Sequence, residues 1–425
     1  MRVLAVVYCL PPLLVPAAVR YLKLLVGLHE LGVQVEVLII DPRSFAAPEP
    51  GMHDASLAAL LPSEIVRHEV WSPESHPALR LLKRAPLSQR LFYRWLEPRK
   101  REWLHAANRR TRTFDWTEYD AVLTCSQPHA NHLLGLQLKR RTNLPWIAYF
   151  GDPWSQNPYA RFASPGIARY HRALEAEVLT QSDFVFFTSE EMARLAQRGF
   201  PGMVEGKYGV LPNSYVPEWY SLVANAWERR ADVELLHTGH FYGPRTPLPL
   251  LQALERLHTS VSLEGKLRIA CYGSFPDRER AMLRDMNLDK VVEIHDVVPY
   301  LESLSLMHSA DGLLLIDAKL TTTQESVFLP SKLVDYLGSE RPIVAMTPRQ
   351  GTSARIVEQS GGIVCDIADA NEIESGLHRV VNGALTGSRS DPAVVTPFHY
   401  LQVAGHLVEA LERVTSHRRT VRSSS

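Results

Sequence analysis

The chain has 425 residues, and at about 100–200 residues per domain two or three domains are expected. An apolar share of 45% and a charged share of 22% belong to a folded globular protein and exclude disordered, collagen-like and disulfide-scaffold classes. Lys+Arg 46 balance Asp+Glu 46, so no global field draws in nucleic acid.

Cys9, Cys125, Cys271 and Cys365 stand far apart and form no C-x-x-C pair or zinc-type spacing. Reduced thiols in a cytosolic setting fit this pattern better than a bridge framework. No uncharged apolar run reaches the ~18 residues that would suggest a membrane span. Residues 3–19 are nearly all apolar and resemble a signal peptide, but Pro11, Pro12 and Pro16 interrupt them. They read better as a buried first strand over 3–8 followed by a proline-rich loop, 10–16.

In chain order, short apolar runs alternate with helical patterns, the mark of parallel α/β architecture. Strand 3–8 leads to a helix over 17–31, a stop at Gly32, and a strand over 33–40. Further strands are expected at 121–124, 146–150 and 184–187, with a helix over 166–181. Thr188 and Glu191 have capping-box spacing for the next helix. The pattern loosens over 202–209, and a short extended piece ends at Val210-Leu211-Pro212-Asn213. A second series has strands at 233–237, 267–272, 291–294, 312–316, 342–345 and 362–365. Helices at 247–258, 277–286, 330–337 and 372–381 connect them. An amphipathic stretch, 400–414, precedes a basic, serine-ended tail.

The expected organisation is two doubly wound domains, 1–205 and 206–395, then a C-terminal helix, 396–416, packing back across them, and a disordered tail, 417–425. In such sheets ligands bind beyond the carboxyl ends of the strands, so the loops there should hold the function.

The second series carries Phe328-Leu329-Pro330-Ser331-Lys332-Leu333-Val334-Asp335-Tyr336-Leu337-Gly338, then Arg341-Pro342-Ile343-Val344-Ala345. Pro330 in a first turn, beside Ser331 and Lys332, sets free backbone N–H groups and a cation at a helix N-terminus, an anion site suited to a diphosphate. Asp335 lies one turn deeper on the same face. The plainer reading is a solvated helix with an incidental Lys and Asp. The first series carries Ser126-Gln127-Pro128-His129-Ala130-Asn131-His132-Leu133-Leu134-Gly135 and, later, Trp146-Ile147-Ala148-Tyr149-Phe150-Gly151-Asp152-Pro153-Trp154.

In this order the motifs resemble the family 4 retaining glycosyltransferases of the bacterial surface-polysaccharide branch. The resemblance spans residues 1 to about 385. It implies the GT-B fold, two facing Rossmann-like domains with a cleft between them, and a nucleoside diphosphate sugar as donor substrate with no cofactor. It also implies that an acidic residue at Asp335 accepts hydrogen bonds from ribose hydroxyls. The family's earlier glutamate falls here on Val327, so donor-sugar contacts would come from elsewhere, such as backbone near 324–327.

The loop Leu236-His237-Thr238-Gly239-His240-Phe241-Tyr242-Gly243-Pro244-Arg245 has His240 where many family members carry an arginine, and Arg245 would supply the charge on the diphosphate. Arg245 as a plain surface charge, and His240 as a packing residue, are the competing readings. Gly273-Ser274 lets the chain approach a ligand closely, or forms an ordinary turn. On the acceptor side, His132 matches the family's histidine in S-x-P-x-x-x-H-L, His129 sitting three residues early. Asp152 is a base or hydroxyl acceptor, or a turn initiator before Pro153. The proline-rich loop 10–16 would shape the acceptor site, and Arg20 beyond it would meet an acceptor phosphate.

Arg80, Lys83, Arg84, Arg90, Arg94, Arg99, Lys100 and Arg101 crowd one stretch in which Leu87, Leu91 and Trp95 recur every four residues. An amphipathic helix docking on an anionic membrane through Arg90, Arg94 and Trp95 is one reading, and a core-facing stripe with a charged back is the other. The expected function is therefore a metal-independent, retaining, hexosyltransferase-type enzyme, cytoplasmic or at the inner membrane face. Its acceptor would be a saccharide or polyprenyl-linked sugar. A nucleotide-sugar epimerase of the same fold and a noncatalytic bilobed binding protein are the rivals.

Overall fold

In the computed structural model of the protein, residues 1–44, 53–73, 100–162, 164–224, 232–241, 243–320 and 325–423 are described. They divide into two compact units, one comprising Met1–Pro212 and Tyr400–Ser425, the other Asn213–His399. These divisions lie a few residues beyond the 205/206 and 395/396 expected. The extended piece after residue 207 is a strand of the first sheet, and the chain leaves that sheet only at Pro212.

The first unit holds seven parallel strands, β1 (Arg2–Tyr8), β2 (Gln34–Ile40), β3 (Val66–Val70), β4 (Ala121–Cys125), β5 (Trp146–Phe150), β6 (Phe184–Phe187) and β7 (Tyr208–Val210), in the order β3-β2-β1-β4-β5-β6-β7. The second holds six parallel strands: β8 (Val233–Thr238), β9 (Leu267–Tyr272), β10 (Val292–His295), β11 (Gly312–Ile316), β12 (Ile343–Thr347) and β13 (Ile363–Asp366). Their order is β10-β9-β8-β11-β12-β13. Both orders reverse direction once, between β1 and β4 and between β8 and β11. Those reversals open a crevice at the carboxyl ends of the flanking strands.

Central strands are buried on both faces and so read as continuous apolar runs, which is why they stood out in sequence. Residues 3–8, the segment with a signal-peptide look, are the middle of the first sheet, pairing with β2 and β4. Each unit has its own apolar core. In the first, Tyr21, Leu24, Leu25 and Leu28 of helix Pro16–Glu30 pack with Val403, Ala404, Leu407 and Leu411 of the last helix, Tyr400–Ser423. Gly27 permits this contact, since a Cβ there would stand 2.8 Å from Ala404 Cβ and 2.9 Å from the Tyr400 carbonyl. That last helix continues to Ser423 in place of the disordered tail expected from 417, because no glycine or proline stands after Gly405 to stop it.

Two local expectations shift. The helix after β6 is capped by Ser189, whose hydroxyl accepts from Met192 N–H at 3.1 Å, and not by Thr188. Thr188 instead donates to the Gly151 carbonyl. Strand β3, with Val-Arg-His-Glu-Val mostly exposed, is an edge strand that lacks the apolar run of its neighbours. The basic segment carrying Arg90, Arg94 and Trp95 lies outside the described residues. Described structure resumes with helix Lys100–Arg110. Among the described residues no helix is long and apolar enough to cross a membrane.

Candidate functional site

The second unit gathers its polar loops at the reversal between β8 and β11. The chain leaves β8 at Gly239, with φ +112, and leaves β9 at Gly273, with φ +136, both conformations that side-chain-bearing residues rarely adopt. The two turns press together, and a Cβ on Gly273 would stand 2.3 Å from the Gly239 carbonyl oxygen. Beside them His240 Nδ1 accepts from the Ser274 amide at 3.3 Å and pairs with its hydroxyl at 2.9 Å, tying the two loops.

Helix Ser331–Gly338 points its N-terminus into this corner. Pro330 at its N-cap is extended and no side chain caps the first turn; Leu333 N–H bonds the Pro330 carbonyl at 3.1 Å, which leaves the Ser331 and Lys332 amides as the end groups of the helix. Lys332 leads from this turn to Gly239, where a Cβ would meet its Nζ at 2.8 Å. The residue is half-buried, yet its Nζ is shut off from solvent and has no hydrogen-bond partner among the described residues. Burial, then the Arg245 charge, bring this ammonium's pKa down to about 7, while Asp317 and Cys271 pull it up. A buried, unpaired cation at a helix N-terminus is costly unless an anion answers it. The same corner holds His237, fully buried, whose Nδ1 donates to the Leu314 carbonyl at 2.9 Å and whose Nε2 has no partner. Burial first, then Lys332 and Arg245, hold its pKa well below the usual imidazole range, so it is neutral.

Arg245 has an anion beside it: its Nη2 is 3.6 Å from Oδ1 of Asp317, just past the end of β11. The other oxygen of Asp317 accepts from the Thr347 hydroxyl at 2.8 Å, at the end of β12. Of the residues singled out in the sequence, the structure thus brings together Gly239, His240, Arg245, Gly273, Ser274, Pro330, Ser331 and Lys332. Asp335 is one turn along the helix but buried, its carboxylate accepting from the Tyr300 hydroxyl at 2.9 Å. Tyr220 binds the Asp335 carbonyl at 2.6 Å. Val327 is buried, and the Ser326 carbonyl is taken by the Thr352 amide at 2.8 Å. Asp317, Thr347, His237 and Tyr300 escaped the sequence reading. A lone Asp directly after a strictly apolar strand was the available signal for Asp317.

In the first unit, the strand ends near the β1–β4 reversal hold Arg20, Ser126, Gln127 and Asp152. Gln127 Nε2 donates to Asp152 Oδ2 at 3.3 Å, and Gly151 N–H donates to Ser126 Oγ at 3.1 Å. A Cβ on Gly151 would run into Arg20 Nη1. Burial raises the Asp152 carboxyl pKa, with Arg20 opposing it, so this acid is less readily ionised than an exposed one. His132 is fully buried: its Nδ1 pairs with the Thr124 hydroxyl at 2.8 Å, its ring tilts over Phe150, and Nε2 has no partner among the described residues. Burial holds it well below the usual imidazole range, so it is a neutral group. His129 stacks flat on Trp154 at 4.8 Å, which the sequence reading had passed over. Among the described residues there is no group of three or more His, Cys, Asp or Glu side chains that could hold a metal, and the four cysteines are buried thiols.

Two parallel, doubly wound sheets, one carrying a cationic helix N-terminus at its reversal, define a Rossmann-like α/β protein. Residues 17–214 match the family described as the glycosyl transferase 4-like domain. No curated protein sequence matches the chain. Among solved structures, sucrose-phosphate synthase from Thermosynechococcus elongatus is similar, at TM-score 0.61 and 14% identity with all of both chains covered. Anabaena HepE in complex with UDP-glucose has a TM-score of 0.59 and 14% identity, over 97% of this chain and 100% of that one. The α,α-trehalose 6-phosphate synthase of Burkholderia multivorans reaches 0.65 at 11% identity, over 98% and 99%. The family match covers most of the first unit, and the chain has the GT-B fold of these glycosyltransferase structures.

Proposed function

We propose that the protein is a retaining glycosyltransferase that moves a hexose from a nucleoside diphosphate sugar to a saccharide or polyprenyl-linked acceptor in surface polysaccharide or glycoconjugate assembly. The observation that carries this is the buried, unpartnered Lys332 ammonium at the N-terminus of helix Ser331–Gly338, flanked by Gly239 and by Arg245. In this reading Lys332, Arg245 and the helix amides take the diphosphate and stabilise the charge that grows on it as the glycosidic bond breaks. His240 and Ser274 flank it, and Asp335 serves the ribose. We assign the acceptor to the first unit, with Arg20 for an acceptor phosphate and Asp152 and His132 for hydroxyl groups. The leaving diphosphate itself helps to take the acceptor proton, so no protein nucleophile is required.

UDP-glucose, the ligand in the HepE complex, is the first donor to try. Purified protein given UDP-, GDP- and dTDP-sugars with oligosaccharide and polyprenyl-phosphate sugar acceptors should release nucleoside diphosphate only when an acceptor is present. The new linkage should keep the donor's anomeric configuration. Donor conversion without acceptor would mark an epimerase. Because the phosphate charge is met by side-chain cations and amides, turnover should persist in excess chelator. Activity lost there and restored by magnesium or manganese would overturn the metal-independent reading.

We further propose a cytoplasmic protein docked on the inner membrane face through Arg90, Arg94 and Trp95. Reversing both arginine charges should weaken binding to vesicles rich in anionic phospholipid about tenfold or more, at roughly 1 kcal/mol per basic residue. Parent protein that ignores such vesicles would refute this.

A further inference from the structure

A carboxylate beside a diphosphate site calls for an explanation, because it repels the ligand. Asp317 stands just beyond β11, buried, and both its oxygens are engaged. Oδ2 accepts from Thr347 at 2.8 Å, Oδ1 faces Arg245 Nη2 at 3.6 Å, and its own amide is tied to the Met346 carbonyl at 2.9 Å. Its side chain is 9% exposed, so the anion is turned toward the arginine rather than toward solvent. Among the described residues, the titratable and charged groups that act on or feel Lys332 are Arg245, Asp317, Cys271, His237 and His240. Burial pushes the Cys271 thiol up to about 12 and lowers both histidines, so those three are neutral at pH 7. Asp317 is then the one anion in that set, set against two cations.

We propose that Asp317, seated on Thr347, is a positioning residue that fixes the Arg245 guanidinium and keeps the Lys332 ammonium charged between turnovers. This rests on the donor-site reading above and deepens it. Two cations this close repel, and burial adds to the tendency of the lysine to lose its proton. A third charge of opposite sign, 3.6 Å from the guanidinium, offsets that repulsion. The Thr347 hydroxyl, itself fully buried, fixes the carboxylate in place.

The test is the affinity for UDP, with GDP, dTDP and ADP as parallel probes, measured at pH 6 and pH 8 for the full chain. Asp317→Asn keeps the shape and the contact to Thr347 but removes the charge. If Lys332 then titrates about one unit lower, the variant's loss relative to the parent should be about fivefold greater at pH 8 than at pH 6. A merely structural role would lower affinity equally at both. Thr347→Val keeps the charge but frees the carboxylate, and should weaken binding about threefold with a smaller trend of the same sign. A variant-to-parent ratio for Asp317→Asn that is flat with pH overturns the proposal. So does parent-like binding by Thr347→Val, which decides the matter even if Asp317→Asn fails to fold. A parent chain that binds none of the four nucleotides brings down the donor-site reading itself, whereas a parent that binds and a flat ratio sink the Asp317 assignment alone.

Discussion

Lys332→Ala should lower turnover at saturating donor about a hundredfold, or ~3 kcal/mol, while leaving the protein as stable as the parent or more so. The rate falls because negative charge grows on the diphosphate as the bond to the sugar breaks, so an ammonium placed there stabilises the transition state more than the ground state. Stability should not fall with it. Nζ makes no hydrogen bond among the described residues, it is shut off from water, and it is repelled by Arg245. Removing such a group relieves an unfavourable burial. The pH dependence gives a second check. A lysine titrating near 7 is charged below that pH and loses its charge above it. Nucleoside diphosphate affinity of the parent should therefore fall as pH rises through 7, beyond any change due to the nucleotide's own phosphate, and binding near pH 8 should take up a proton. In Lys332→Ala that lysine-linked part should be absent. Calorimetry in buffers of different ionisation enthalpy measures it directly. A variant that binds and turns over like the parent would remove the diphosphate from this helix.

How far this corner was legible in the sequence depends on the range of the contacts that make it. Helix Ser331–Gly338 was visible because its cause is local: Pro330 sets the first turn and the apolar Leu333, Val334 and Leu337 repeat at helical spacing. Gly239, Gly273 and Arg245 were visible as loop chemistry after apolar strands. Asp317 was not, since its meaning comes from Arg245 and Thr347, which lie on other strand ends and come near only through sheet order. The burial of Asp335 was equally hidden. Helical spacing placed it correctly on its face, but Tyr300, which covers it, belongs to a different helix, Tyr300–Ser309. His129 and His132 show the same limit. The motif separated them, yet both rings are buried, and only packing reveals that one lies flat on Trp154 and the other bonds Thr124. Edge strand β3 was missed for the opposite reason, since a strand exposed to water carries little apolar pattern to read.

The two glycines at this site should fail differently. Gly273→Ala should destabilise the protein by about 3 kcal/mol or more, whereas Gly239→Ala should cost about 1–2 kcal/mol and appear mainly in donor binding. Both have φ angles that an L side chain rarely adopts, so both pay a conformational cost. The difference lies in what the new methyl meets. At Gly273 it meets the Gly239 carbonyl oxygen at 2.3 Å and carbonyl carbon at 2.8 Å, main-chain atoms that cannot rotate away. Relief requires prising apart the ends of β8 and β9, where Gly239 N–H binds the Tyr272 carbonyl at 2.8 Å. At Gly239 the methyl meets only Lys332 Nζ at 2.8 Å and Cε at 3.2 Å, the tip of a flexible side chain. The lysine can step aside, but it then leaves the helix N-terminus where the diphosphate is assigned. Chemical denaturation of the two variants, beside UDP affinity at pH 6, where Lys332 is mostly charged, separates the effects. Equal stability losses would mean that the Gly239–Gly273 approach is looser than 2.3 Å implies. Unchanged UDP affinity in a folded Gly239→Ala would show that Lys332 does not act from beside this turn.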